Sequence, residues 1–226
     1  MTDGTSLCLR NKTMSNEKVK VVIPWRADAS RKPGFDWVCA YYRSRLGSDC
    51  IHVSPSPAGP FNRSAAINAG VCQFPDHKII IADADCFICD FGLKRALNEV
   101  TNDLMIIPHN RFVPCNFRQK YRLLKHDPTL PVRANWWKTR RQRRSAGAGI
   151  WVVTHDFFME SPMDERFIGW GCEDTEYVSR SNSLRFGGPL YHILHARPNK
   201  KHFKRNKRLR RLLIRSRDES RNMEKS

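Results

Sequence analysis

A run of apolar residues followed at once by two carboxylates constrains this chain more than any other feature. The apolar run is Ile79–Ala82, preceded by Lys78, and Asp83 and Asp85 follow it with one residue between them. An uninterrupted apolar run rich in β-branched side chains is typical of a strand buried on both faces of a parallel sheet. Carboxylates at the carboxyl end of such a strand face the crevice where open α/β sheets bind ligands. The stretch therefore predicts a ligand site at Asp83 and Asp85.

The chemistry of this pair favours a divalent metal. Carboxylate oxygens are hard ligands of the type that Mg²⁺ and Mn²⁺ prefer, and these ions bind diphosphate groups in proteins. An Asp-x-Asp sequence also arises readily by chance, and a strand end followed by an acidic turn is the simpler interpretation of the pair taken alone. The choice between a metal site and a turn therefore depends on the other segments of the chain.

Strand-like and helix-like segments alternate along the chain. This alternation predicts an α/β fold with one mostly parallel, Rossmann-like central sheet, flanked by helices and joined by right-handed crossovers. Pro24 is expected to end the first strand, because proline cannot continue a central ladder. The predicted strands are 19–23, 51–53, 78–82, 103–107, 147–153 and 188–195, and the predicted helices are 35–46, 62–72, 91–100 and a short one after a Thr154 cap.

The length of 226 residues suits one such domain and a tail. We expect a polar leader at 1–18, the globular domain at 19–196 and a basic tail at 197–226 that is either a helix or disordered. The segment 108–146 has no clear period, which is typical of a functional loop or lid. Since the chain has no run of eighteen apolar residues and no signal-peptide pattern, we expect a soluble cytoplasmic protein with no membrane partner.

The eight cysteines are scattered, and only Cys86 and Cys89 are closely spaced. A structural zinc site usually needs a second close pair. The cysteines are therefore expected to be reduced thiols that pack in the core.

The formal net charge of +18 is concentrated in two basic blocks, at 118–144 and 197–217. Fields of this sign attract polyanions such as nucleic acid, acidic glycans or nucleotide diphosphates. A basic surface that is merely solvated, without a partner, is the alternative interpretation.

Four short motifs occur in a fixed order along the chain. They are Ile-Pro-Trp-Arg at 23–26, Phe-Asn-Arg at 61–63, Asp-Ala-Asp at 83–85 and Gly-Trp-Gly-Cys-Glu-Asp at 169–174. Together they resemble the metal-dependent glycosyltransferases of the GT-A fold, and most closely the β-1,4-galactosyltransferase family. The resemblance spans roughly residues 19 to 195. It implies a GT-A domain that uses a UDP-sugar donor and Mn²⁺ or Mg²⁺.

The resemblance also implies roles for individual residues. Asp85 would bind the metal, with His192 and His195 closing the opposite side, and Asp83 would contact ribose or the metal through water. An inverting transfer needs one general base, which would be Asp174, while Glu173 would bind donor-sugar hydroxyls; Glu173 as the base, or a retaining mechanism without one, are the alternatives. The remaining nucleotide and donor contacts would come from Pro24, Trp25, Arg26, Phe61, Arg63, Ala84, Trp170 and Gly171.

Three departures from the family pattern stand out. Cys172 occupies the place of a second glycine in the motif, and His192 with His195 replaces a methionine and a histidine three apart. The familiar family members carry a membrane anchor, and this sequence shows none. The sequence therefore resembles a compact, soluble member of bacterial or phage type, and the family's usual acceptor sugars do not carry over to it.

The sequence thus predicts an enzyme that moves a sugar from a UDP-sugar to a hydroxyl of a glycan, a protein or a modified nucleic-acid base. Two alternatives come from other classes. A non-catalytic nucleic-acid-binding protein accounts for the basic blocks and for Trp136 and Trp137, which would stack on bases, but not for the carboxylates. A metal-dependent nuclease accounts for both, but predicts phosphodiester cleavage and no use of UDP-sugars.

Overall fold

The computed structural model describes residues 18–132, 143–144, 149–196 and 200–223. Several predicted features lie outside these residues. They are most of the expected leader, Trp136 and Trp137, most of the first basic block beyond 132, and the start of the tail. In chain order the elements are β1 (Val19–Trp25), α1 (Lys32–Leu46), a 3₁₀ turn (Ser48–Cys50), β2 (Ile51–Pro55), α2 (Arg63–Val71), β3 (Lys78–Ala82), β4 (Cys86–Phe87), α3 (Asp90–Glu99), β5 (Met105–Ile107), β6 (Arg111–Pro114), α4 (Phe117–Leu124), β7 (Arg143–Arg144), β8 (Ile150–Thr154), α5 (His155–Glu160), α6 (Glu173–Arg180), β9 (Ser183–Arg185), β10 (Pro189–His192) and α7 (Phe203–Met223).

The central sheet has six strands in the order β2-β1-β3-β8-β5-β9. Strand β1 pairs in parallel with β2 and β3, and β5 pairs in parallel with β9, whereas β8 runs antiparallel to both of its neighbours. Five of the six strands therefore run in the same direction. This confirms the α/β fold with a mostly parallel sheet, and it places β3 in the interior of that sheet as predicted.

Helices cover both faces of this sheet because its strand residues alternate between two apolar cores. On one face, Val21 and Ile80 pack with Tyr41 of α1 and Leu97 of α3. On the other face, a second core joins strand residues to helices α2, α5 and α6; its members include Val22, Ile79, Ile81, Ile67, Phe158 and Tyr177. Since the isoleucines of β3 are fully buried, each contributes on the order of 2 kcal/mol to stability.

A second, smaller sheet lies directly after the acidic pair. Its strand order is β4-β10-β6-β7, and β4 begins at the residue that follows Asp85. Strand β10 pairs antiparallel with β4, so that His192 is opposite Cys86 in the register. This pairing brings the end of β10, and the histidines there, to the acidic turn.

Pro24 does not end β1, contrary to the prediction. The strand continues to Trp25, and Pro24 is opposite Ser54 in the parallel pairing with β2. The pairing of β1 with β3 stops at Val22. Because one edge of β1 is already unpaired at this point, a residue without an N–H group is tolerated there.

The segment 108–146 was predicted to be a loop or lid without regular structure, and this prediction is wrong for part of it. It contains strand β6 and helix α4. Helix α4 begins with a capping box, in which the Asn116 side chain accepts from the Gln119 backbone N–H and the Gln119 side chain accepts from the Asn116 backbone N–H.

The predicted strand at 147–153 is β8, which the structure places at Ile150–Thr154 and antiparallel to its neighbours. The predicted Thr154 cap is confirmed, since its hydroxyl accepts from the Phe157 N–H.

The tail forms helix α7, one of its two expected states. Among the described residues, no helix combines the length and hydrophobicity needed to cross a membrane. Of the seven described cysteines, all free thiols, Cys39, Cys50, Cys86 and Cys115 are buried as expected. Cys72 and Cys89 are exposed and Cys172 is half-buried, so the expectation of core packing is wrong for these three.

Candidate active site

Three backbone hydrogen bonds fix the acidic turn between the two sheets. The Asp83 N–H donates to the Gly149 carbonyl before β8 at 2.8 Å, and the Cys86 N–H donates back to the Asp83 carbonyl at 3.0 Å. The Ile193 N–H, just after β10, donates to the Asp85 carbonyl at 2.8 Å. The turn is thus held by the strand neighbours of both sheets, and the intervening Ala84 is buried.

Asp85 is the buried centre of a charged cluster. Its side chain is paired with Arg31 at 2.6 Å, and the Nε2 atoms of His195 and His192 lie 3.1 and 3.7 Å from its carboxylate oxygens. Burial alone would raise the pKa of Asp85, but it is outweighed by the positive charges of His192 and His195, when these are protonated, and of Arg31, so that the pKa is lowered. Sequence reasoning missed Arg31, which comes from the loop before α1, 54 positions away.

The donor atoms around Asp85 fit a divalent ion. Ligand atoms of Asp85, Cys86 and His192 all lie within 4.8 Å of one another, and His195 adjoins them. Burial lowers the pKa of His192, which favours the neutral imidazole that metals bind. The Cys86 thiol is geometrically close, but burial raises its pKa well above the ordinary value, and Mn²⁺ or Mg²⁺ prefers oxygen and nitrogen donors. By their chemistry and position, Asp85, His192 and His195 could hold such an ion.

Arg63 connects Asp83 to the second half of the site. Located at the first turn of α2, after the Asn62 cap, it pairs with Asp83 at 2.8 Å and lies over the Trp151 ring at 5.1 Å. It is only 7% exposed. Burial would lower the pKa of Arg63, but the negative charges of Asp83, Glu173 and Asp174 raise it. The predicted nucleotide residue thus sits among the predicted acids.

Arg26 and its neighbours hold the loop after β2. The Arg26 guanidinium donates to the carbonyls of Gly59 and Pro57, each at 2.6 Å, and lies 5.7 Å from the centre of the Phe61 ring. Trp25 stacks on Phe35 with ring centroids 4.3 Å apart, and Pro24 is buried. The donors of Arg26 are therefore committed to backbone carbonyls, and its contact with a nucleotide remains a prediction.

The Gly169–Asp174 loop needs glycine at two of its positions. Gly169 and Gly171 have φ angles of +72° and +103°, and a β-carbon at Gly171 would lie 2.8 Å from the Phe203 ring. Cys172 adopts φ of +81°, a conformation that glycine takes without strain. The cysteine at this position therefore bears strain that a glycine would not. The Gly169 N–H donates to the Phe61 carbonyl at 2.7 Å, so the second and fourth motifs are in contact.

Glu173 and Asp174 begin α6 in different surroundings. Glu173 is 8% exposed, and its Oε2 atom is buried without a hydrogen-bond partner in the described part of the chain. Burial and the charge of Asp174 raise the pKa of Glu173 to about 7, although Arg63 opposes the shift. Asp174 is partly exposed and accepts from the Thr175 hydroxyl at 3.2 Å. One carboxyl is therefore buried and readily protonated, and the other is accessible.

Helix α7 holds this loop from behind. Asn206 is fully buried, and its Nδ2 atom donates to the carbonyls of Ile168 and Gly171, each at 3.0 Å. Phe203 stacks on the partly exposed Trp170 with centroids 5.5 Å apart, and Arg217 pairs with Glu176 at 2.9 Å. Sequence reasoning missed these contacts, although Phe203, Asn206, Leu213 and Arg217 recur at helical spacing.

The structure thus gathers Asp83, Asp85, Arg63 and the histidines at the carboxyl end of β3, with Glu173 and Asp174 close enough to interact with Arg63 electrostatically. A cleft lined by His77, His155 and other polar residues lies at the amino ends of β1 and β3. It contains none of the predicted site residues.

No protein-family model matches the chain, and no curated protein matches it in sequence. Among solved structures, the chain is similar to the crystal structure of a Drosophila β-1,4-galactosyltransferase 7 mutant in complex with manganese, UDP-Gal and xylobiose. The TM-score is 0.52 and the identity 18%, over 84% of this chain and 74% of the other. The chain has a GT-A glycosyltransferase fold. At this identity the likeness concerns the fold alone.

Proposed function

We propose that the protein is a metal-dependent, inverting glycosyltransferase that moves a sugar from a UDP-sugar to an acceptor hydroxyl. The observation that carries the proposal is the buried Asp85 carboxylate with the half-buried His192 and His195 beside it, at the carboxyl end of the central strand of a GT-A fold. Open α/β sheets bind nucleotides at this edge. The similar galactosyltransferase complex, which contains manganese and UDP-Gal, supports the assignment.

Asp85, His192 and His195 would hold Mn²⁺ or Mg²⁺. When bound, such an ion acts as a Lewis acid that stabilises negative charge on the departing diphosphate. Arg31 pairs with Asp85 at 2.6 Å, so a positive charge already lies at the carboxylate where the metal would bind. In the presence of metal and donor, the Arg31 guanidinium is free to pair with a phosphate, which it suits by its planar geometry.

The nucleotide would lie along the first two motifs. Trp25 and Phe61 offer ring surfaces, Asp83 a hydrogen-bond acceptor for ribose, and Arg63 a buried positive charge near the phosphates. Since Arg63 is tied to Asp83 at 2.8 Å, the two side chains form one rigid contact surface. The neighbouring Pro24, Arg26 and Ala84 shape the walls of this region.

Asp174 would act as the general base. It is the accessible carboxylate at the start of α6, so it can reach an acceptor hydroxyl while Trp170 and Gly171 line the sugar region. Asp174 takes the hydroxyl proton, the oxygen forms a bond to the anomeric carbon, and the bond to UDP breaks with UDP keeping its electron pair. Glu173, with a pKa of about 7 and a buried oxygen that has no hydrogen-bond partner among the described residues, would hydrogen-bond the donor-sugar hydroxyls.

A donor screen tests this proposal. The protein is incubated with Mn²⁺ and each UDP-sugar in turn, and the release of UDP is measured, with Asp85→Asn as the matched control. We expect slow, metal-dependent hydrolysis of one UDP-sugar even without an acceptor. Cleavage of an oligonucleotide with no use of any UDP-sugar would instead favour a nuclease.

A further inference from the structure

The outward face of α7 carries a row of basic side chains. Lys204, Arg208, Arg211 and Arg215 follow one another at intervals of four, three and four residues, which places them on one side of the helix. All four are exposed. No ion-pair partner for any of them occurs in the described ranges of the chain.

The contacts on the opposite side of α7 fix the direction of this basic row. Asn206 is buried against the Gly169–Asp174 loop, and Arg217 is paired with Glu176 of α6. Because these inward contacts prevent the helix from turning about its axis, the row must face solvent. It carries positive charge that the fold itself does not use.

The row leads to the exposed indole of the candidate active site. Trp170 is 44% exposed, it stacks on Phe203 at the start of α7, and the Lys200 ammonium group lies 5.7 Å from its ring centre. A ligand that follows the row toward the amino end of α7 therefore arrives at Trp170, beside Glu173 and Asp174.

The spacing and chemistry of the row fit a phosphodiester backbone. From Lys204 to Arg215 the helix rises about 16 Å, roughly five nucleotide steps of a duplex strand. Three of the four groups are guanidinium groups, whose geometry matches phosphate oxygens. A membrane surface fits less well, since Leu212 is the one strongly exposed apolar side chain among described residues 203–215, and an interfacial helix needs an apolar face.

We propose that α7 is the binding surface for the backbone of a nucleic acid, which presents the acceptor hydroxyl next to Trp170. That the bound nucleic acid is the acceptor rests on the proposed function. That α7 binds a nucleic acid rests on the basic row. Bound in this way, a strand places an unpaired base where the exposed indole can stack on it.

The experiment measures the binding of labelled single-stranded and duplex oligonucleotides by fluorescence anisotropy, over roughly 50 to 200 mM salt. The test variant replaces Arg208, Arg211 and Arg215 with glutamine, which keeps helix propensity. The control variant removes the same charge elsewhere, at the exposed Lys18, Arg43 and Lys94. UDP release from the UDP-sugar without an acceptor is measured for all three proteins.

We expect the α7 variant to bind about tenfold or more weakly than the parent, with a salt slope lower by roughly two, since each lost phosphate contact removes about 0.7 to 0.9 of slope. The control should bind within about twofold of the parent, and UDP release should be equal in all three proteins.

Equal losses in both variants would overturn the proposal, because the attraction would then be general. Binding to heparin or to anionic vesicles but not to oligonucleotides would overturn it as well, in favour of another polyanion. If only the α7 variant loses oligonucleotide binding and none of the proteins releases UDP, then α7 binds nucleic acid as proposed. The proposed glycosyltransferase function would then be refuted instead.

Discussion

Asp85 and Glu173 are both buried carboxyl groups of the candidate site, and their surroundings are opposite. Asp85 is contacted by a guanidinium and two imidazoles, which lower its pKa. Glu173 has an oxygen without a described hydrogen-bond partner, and burial with a neighbouring acid raises its pKa to about 7. The difference indicates that the Asp85 region is built to hold positive charge, and the Glu173 region to receive neutral hydroxyl groups.

The largest effect is expected from the accessible acid beside Glu173. Replacing Asp174 with asparagine keeps the size and removes the base, so sugar transfer should fall by about 10²- to 10⁴-fold. UDP binding, which depends on the Asp85 region, should stay unchanged. Steady-state kinetics and calorimetry on the same preparation check this, and loss of UDP binding would contradict the separation of the two regions.

Amide substitutions at the two buried carboxyl groups should shift stability in opposite directions. Asp85→Asn removes a buried ion-pair partner, which typically costs about 3 kcal/mol or more. Glu173→Gln removes a carboxyl that is destabilising when ionised, and should raise stability at about pH 8 by up to roughly 3 kcal/mol. The free energies of unfolding come from denaturant titrations at equal pH.

The free energy of unfolding should depend on pH through Glu173. The pKa of Glu173 is about 7 in the folded protein, above the ordinary value of 4.5. Its contribution to folding stability is therefore complete below about pH 4.5 and is lost as the pH rises toward and through 7. The difference in stability between Glu173→Gln and the parent should grow over this window. A constant difference would mean that Glu173 does not titrate there.

The contacts of α7 should affect only the Glu173 region. Asn206→Ala removes two buried hydrogen bonds to the loop carbonyls, and transfer should fall roughly 10- to 100-fold, in line with about 1 to 3 kcal/mol. Metal-dependent UDP binding should persist. Ser220→Ala, near the exposed end of the same helix, serves as the control, and equal loss of UDP binding would show that Asn206 supports the whole fold.

The smallest effect is expected at Arg31. Since its guanidinium competes with a metal for Asp85, Arg31→Gln should tighten Mn²⁺ binding in the absence of donor by up to about tenfold. Calorimetric titration of Mn²⁺ measures this directly. Weaker Mn²⁺ binding would mean that Arg31 supports the site instead of competing for it.

The parts of this fold that sequence patterns predict are those fixed by local burial. The isoleucine run of β3 needs two apolar faces, so its central position could be predicted from its own residues. The direction of β8 could not, because an apolar strand shows the same pattern in either direction. Helix α4 was missed although the Asn116–Gln119 capping box is visible, since prolines and basic residues obscure the period.

Recognisable motifs point to some of the residues that the fold brings together, such as Asp83 and Asp85. Arg31 and Asn206 lie outside any motif, and the chain brings them to the site only after folding. Their roles depend on contacts across 54 and 35 positions, respectively. Such long-range contacts have no local signal, and this limits what the sequence alone can say about the support of a site.

The role of Asp85 is tested by calorimetry of UDP binding with and without Mn²⁺, in the parent protein and in Asp85→Asn. We expect the parent to bind UDP tightly only with Mn²⁺, and the variant to lose this metal-dependent gain by more than about 100-fold, since even residues that merely support a ligand cost 10- to 100-fold. An unchanged metal-dependent UDP affinity in Asp85→Asn would show that this carboxylate does not hold the metal.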